Sequence, residues 1–140
     1  MKYLLDTNVL SEIRKPAHIA DSAVRAWFSS LEAESLWLSV ISVLEIELGI
    51  ARVERRDPAQ ARRLQSWLED DLLDVFEYRM LAVDLPVARA AARLHVPDPK
   101  SERDALIGVT ALVNGCTIAT RNVKDFDGMG AKLINPWLLP

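Results

Sequence analysis

The sequence predicts an α/β fold in which a central parallel sheet is covered on both faces by helices. Three observations lead there. Short apolar runs alternate with segments of helical period. The runs are apolar at successive positions, as in strands buried on both faces. The connections are long enough to be crossover helices, which parallel pairing requires.

The elements follow in order. Lys2 to Leu5 is a strand ending on Asp6, and Thr7 to Arg14 is a short helix that Pro16 stops. A second helix is expected over Ile19 to Leu31, with Ala20, Ala23, Val24, Trp27, Phe28 and Leu31 on its inner face. Leu36 to Val40 is the second strand. Ser42-Val43-Leu44-Glu45 fits a capping box, with Ser42 as N-cap and Glu45 three residues on, starting a helix to about Arg56. Asp57-Pro58 opens another helix that runs toward Leu72. Met80 to Val83 is a strand, and Asp84 caps a helix over Leu85 to His95. After the loop Val96 to Lys100, Ser101 begins a helix to Asn114, and Gly115 suits the position just past its end. Cys116 to Ala119 is a strand, Thr120 to Asp127 a polar turn, and Lys132 to Ile134 a last strand stopped by Asn135-Pro136.

Composition sets bounds. A chain of 140 residues, half of them hydrophobic and 26% charged, fits a single domain, residues 1–140, with one well-buried core. The start lacks a signal-peptide pattern, and no uncharged apolar run could span a bilayer, so a cytoplasmic protein with no membrane partner is expected. The single cysteine excludes an internal disulfide, and Cys116 reads as a small packed thiol in a buried strand. The net charge of −3 runs against nucleic-acid binding unless bound cations reverse it locally.

The chemistry lies in four acids. Asp6 follows the first strand, Glu45 stands early in the helix after the second, Asp104 lies in a helix first turn, and Asp125 follows the strand ending at Ala119. In open parallel sheets these positions share the carboxyl edge, where ligands bind. Carboxylates gathered there repel one another unless a counter-ion intervenes. Hard oxygen ligands suit Mg²⁺ or Mn²⁺, and a cation so held can activate water for in-line displacement at phosphorus. His18 and His95 lie away from that edge, which argues against a histidine base or a zinc site. Each acid also has a bland explanation. Glu45 can be the capping-box partner of Ser42, with Glu47 an equal candidate by period. Asp104 can favour the helix dipole, and Asp125 can cap a turn.

The motifs sharpen this picture. Asp6-Thr7-Asn8-Val9-Leu10-Ser11-Glu12 resembles the opening of PIN-domain nucleases, above all the toxins of VapBC-type modules and their FitB-like relatives. Glu45-Ile46-Glu47-Leu48-Gly49, Asp104-Ala105-Leu106-Ile107 and Thr120-Arg121-Asn122-Val123-Lys124-Asp125-Phe126 match the later blocks in order. The second block, with an acid four residues before Gly, selects Glu45 over Glu47. The resemblance spans residues 2 to about 135. Gly108 departs from it, standing where Ala is common, and charged residues crowd the 96–103 loop beside Asp104.

The resemblance implies an α/β/α sandwich and a Mg²⁺- or Mn²⁺-dependent endoribonuclease using metal-activated water. Asp6, Glu45, Asp104 and Asp125 would be the metal ligands, with Asn8, Thr120 and Asn122 orienting them through hydrogen bonds. Arg121 would contact phosphate or form a structural ion pair. The implied partners are RNA, a second copy in a homodimer, and a small DNA-binding antitoxin whose C-terminal segment covers the site. Three other readings compete: a phosphatase of the haloacid-dehalogenase type, a receiver domain, and a non-catalytic partner- or DNA-binding module. The phosphatase would need Asp where Asn8 stands, and the receiver would need paired acids after the first strand.

Overall fold

A computed structural model describes residues 1–140. Five parallel strands form one sheet in the order β3-β2-β1-β4-β5. These are β1 (Lys2–Leu5), β2 (Leu36–Ser39), β3 (Met80–Leu81), β4 (Cys116–Ala119) and β5 (Leu133–Ile134). The helices are α1 (Thr7–Arg14), α2 (Ser22–Ser29), α3 (Val40–Glu54), α4 (Pro58–Ser66), α5 (Leu73–Val75), α6 (Leu85–Leu94) and α7 (Glu102–Val113). A π-helical turn, Trp67–Leu72, joins α4 to α5. No helix is long and apolar enough to cross a membrane.

The pleat explains the two-sided core. Leu4 and Leu5 are both fully buried, and they face opposite ways. Leu5 joins Val9, Leu10, Leu36, Leu38, Leu68 and Phe76 under α1 to α5. Leu4 joins Ile107, Ile118, Phe126 and Met129 under α7. Each such leucine contributes about 2 kcal/mol by burial alone, so β1 is the strand on which both layers depend. The three-layer expectation holds.

Several boundaries differ from the sequence expectation, each for a local reason. α2 begins at Ser22 and not near Ile19, because the Asp21 carboxylate accepts the Ala23 and Val24 amide N–H groups and fixes the start there. β2 ends at Ser39 and α3 begins at Val40, because the Ser39 hydroxyl oxygen caps the Ile41 N–H at 3.0 Å. The expected capping box at Ser42 and Glu45 is therefore absent. Ser42 lies inside the helix, fully buried and with its hydroxyl unpartnered. β3 is only two residues long, because the chain turns at Val83 for Asp84 to cap α6.

Other expectations hold. Asp57 and Asp84 cap α4 and α6. Gly115 has φ of 68°, the left-handed conformation that lets the chain leave α7 at once for β4. Cys116 is buried. Gly108 has a packing reason: a methyl group there would run into the Met129 sulfur.

Candidate active site

The strand order reverses beside β1. The chain lays β2 and β3 on one side of it, then returns to place β4 on the other. The carboxyl ends of β1 and β4 flank this switch point, where open α/β sheets bind ligands. The Asp6 N–H still pairs with the Ala119 carbonyl at 2.9 Å, so Asp6 and Thr120 leave the sheet side by side.

Asp6 is held from three directions. Its Oδ1 accepts the Thr7 N–H at 2.8 Å, which makes it the N-cap of α1. Its Oδ2 accepts the Thr120 hydroxyl at 2.8 Å and the Asn8 amide at 3.3 Å. Thr120 is fully buried, and its oxygen in turn accepts the Asn122 backbone N–H at 3.0 Å. The Asn8 side-chain Oδ1 accepts the Arg121 backbone N–H at 3.3 Å. Asn8 and Thr120 thus lock the carboxylate with their side chains. Asn122 differs from expectation: it acts through its main chain, and its own amide is exposed.

The other acids approach from separate elements. Glu45 lies in the second turn of α3, where its Oε1 accepts the Thr7 hydroxyl at 2.7 Å. Glu47 points away and is exposed. The loss of the capping box removes the bland explanation of Glu45, since no helix end requires it. Asp104 sits in the first turn of α7, half-buried. Asp125 lies in the 3₁₀ turn Val123–Phe126, which Phe126 anchors by burying its ring in the core.

The electrostatics join these positions. Burial pushes the Asp6 carboxyl above its ordinary range, and the nearby Glu45 and Asp104 charges add to this against the opposing hydrogen bonds. Burial also raises Asp104, with Asp125 and Glu45 adding to it. Asp6 and Asp104 thus each feel the charge of two other acids of the set, although the four come from positions 119 residues apart at the extremes. Such a set favours either protonation or a bound cation.

The candidate ligands are four carboxylates, with no histidine or cysteine among them, a donor chemistry that would suit Mg²⁺ or Mn²⁺. No three acidic, histidine or cysteine side chains converge closely enough to enclose an ion. An open arrangement fits a cation that keeps much of its water and uses only one or two carboxylates at a time.

Two neighbours escaped the sequence reading. Thr7 supplies the hydrogen bond to Glu45, and Arg103 places Nη1 3.6 Å from the other Glu45 oxygen. Thr7 stands inside the opening motif, which is the one sequence signal for it. Arg121 makes neither of the chain's two ion pairs, so a structural ion pair is not its role here. Its guanidinium rests over the Trp137 ring, 5.3 Å from the centroid. An apolar groove lies elsewhere, between α1, α2 and the π-helical turn, with Ile13, Phe28, Trp67, Leu72 and Val75 among its walls.

Comparison with known proteins gives a consistent picture. The family model described as PIN domain matches residues 3–132. The VapC ribonuclease Y4jK of Sinorhizobium fredii is 37% identical over 141 residues, covering 96% of each chain. Toxin FitB of Neisseria gonorrhoeae is 35% identical, covering 96% of this chain and 97% of its own. The crystal structure of FitAcB from the same organism superimposes with a TM-score of 0.87 at 34% identity, covering 98% of this chain and 99% of that one. A FitAB complex bound to an IR36 DNA fragment superimposes with a TM-score of 0.86 at 33% identity.

Proposed function

The chain belongs to the PIN-domain family, and on that premise we propose that it is a Mg²⁺- or Mn²⁺-dependent endoribonuclease acting as the toxin of a toxin–antitoxin pair. The observation that carries this reading is the carboxylate cluster at the switch point, with Asp6 only 8% exposed and locked by Thr120 and Asn8. A bound divalent cation supplies positive charge that activates water and steadies the oxygen that leaves.

The residues have separate tasks in this reading. Asp6 offers a carboxylate whose orientation is fixed before anything binds. Glu45 and Asp104 face it from α3 and α7, and Asp125 closes the cluster from the turn after β4. Thr120 and Asn8 keep Asp6 from rotating, and Thr7 does the same for Glu45. Arg121 contacts a phosphate of the RNA. Its guanidinium is unpaired with any carboxylate and rigidified on Trp137, so it can take a phosphate at little entropic cost. Arg121 and Lys124 flank a small cavity of about 440 Å³ that Asp125 also lines.

The partner reading follows the relatives. FitB is named a toxin, and FitAB is described bound to DNA. By analogy this chain pairs with a small DNA-binding antitoxin and forms a homodimer. The apolar groove beside α1 supplies a surface for such a partner's apolar side chains.

The test uses purified, partner-free protein and RNA. Cleavage with Mn²⁺ or Mg²⁺ and none in excess EDTA is expected. Asp6→Asn is expected to lower the rate at least ~100-fold while the fold persists. Cleavage that continues undiminished in EDTA would refute the metal mechanism. Hydrolysis of p-nitrophenyl phosphate without RNA cleavage would favour the phosphatase reading instead.

A further inference from the structure

Both oxygens of Glu45 are already engaged by this chain. Oε1 is held tightly by the Thr7 hydroxyl at 2.7 Å, and Oε2 loosely by Arg103 at 3.6 Å. The Arg103–Glu45 pair is the only ion pair that any of the four acids makes. It is also the weaker attachment, because the Arg103 side chain is 44% exposed.

The position of Arg103 is odd for helix stability. It stands second in α7, in the first turn, where the helix dipole disfavours a cation. Helix energetics do not account for an arginine there. The acids do, since a guanidinium at this point partly neutralises Glu45 and is adjacent in sequence to Asp104.

We propose that Arg103 is the resident counter-ion of Glu45, gives that carboxylate up when a divalent cation binds, and then pairs with a phosphate of the RNA. The inference rests on the nuclease reading and deepens it. The Thr7 bond keeps Glu45 aimed while the guanidinium leaves. The released side chain remains tethered beside Asp104, at the place where a substrate phosphate has to approach. One arginine thus serves the empty and the loaded site in turn, and the cluster avoids bare repulsion in both.

The test measures Mn²⁺ binding to the full chain by isothermal titration calorimetry, without RNA, in a double-mutant cycle of Arg103→Gln and Glu45→Gln. Arg103→Gln is expected to tighten Mn²⁺ binding about three-fold, the scale of a half-exposed ion pair. The gain is expected to vanish in the Glu45→Gln background. An unchanged affinity, or an equal gain in both backgrounds, overturns the exchange, the second because it reports only general charge repulsion. At saturating Mn²⁺, Arg103→Gln is expected to slow RNA cleavage at least ten-fold despite its tighter metal. A full rate there overturns the phosphate contact. If the wild type binds no Mn²⁺, the nuclease reading and this inference both fall; if it binds and only the cycle fails, the nuclease reading stands alone.

Discussion

Thr120→Val is the sharpest probe of how the site holds its first acid. The substitution is nearly isosteric and removes one hydroxyl at a fully buried position. That hydroxyl donates to Asp6 Oδ2 at 2.8 Å and accepts from the Asn122 N–H at 3.0 Å. Asn122 is exposed, so water replaces the second bond at little cost. The first is charge-assisted and serves a carboxylate with 8% exposure, and its loss costs about 2 kcal/mol. The remaining donors to Asp6, the Thr7 N–H and the Asn8 amide, keep the loss from rising further. For a chain of this size the melting temperature falls by roughly 6 °C. The sign with pH follows from Asp6. Thr120 favours the ionised carboxylate, pulling against the burial that raises its pKa. The cost is therefore fully present at neutral pH and shrinks in acid, where the protonated carboxyl no longer needs a strong donor. Urea unfolding at pH 7 and in acid, both in EDTA, measures the difference. Thr120→Ser, which keeps the oxygen, should lose only about 0.8 kcal/mol for the buried methyl. A Thr120→Val loss below about 0.5 kcal/mol at pH 7, or one equal at both pH values, would refute the idea that this hydroxyl fixes Asp6.

Three further outcomes are expected. Asp104 has a folded pKa raised above 3.8, so its contribution to stability is full below that value and is lost as pH rises through the folded one. Asp104→Asn should thus melt no lower than wild type in EDTA at pH 7 and should gain less on adding Mn²⁺; a lower melt with an undiminished Mn²⁺ gain would contradict the account. Glu45→Gln should reduce RNA cleavage as severely as Asp6→Asn, at least ~100-fold, and a mild effect measured side by side would return Glu45 to a structural role. Arg121→Ala should weaken RNA binding and reduce the slope of log affinity against log salt by about 1; an unchanged slope would remove Arg121 from the phosphate contacts.

The layered parallel sheet was legible because Leu4-Leu5 and Ile118-Ala119 are apolar at successive positions, a pattern that only strands covered on both faces require. Asp6 was legible for a related reason: a carboxylate ending a buried strand has no packing role. Glu45 was harder. Ser39 and Ser42 stand three residues apart, and both can begin a helix; the pattern Ser-x-x-Glu favoured the wrong one. The choice depends on where β2 stops pairing with β1 and β3, which is long-range information. Thr7 and Arg103 were missed on the same ground, since each acquires its meaning from Glu45 on a different element. The Asn122 main-chain bond has no side-chain signature at all.

The pairing of β1 with β4 also bears on how the protein is made. Asp6 leaves the ribosome 114 residues ahead of the hydroxyl that locks it. At about 5–20 residues per second, roughly 6 to 23 seconds separate the two. During that interval β1 can pair with β2, but its other edge stays open and Asp6 has neither Thr120 nor the acids of α7 and the last turn. A nascent chain therefore carries the first carboxylate without the cluster. Whatever chemistry the cluster performs is withheld until β4 and the turn after it have emerged, a delay imposed by strand order alone.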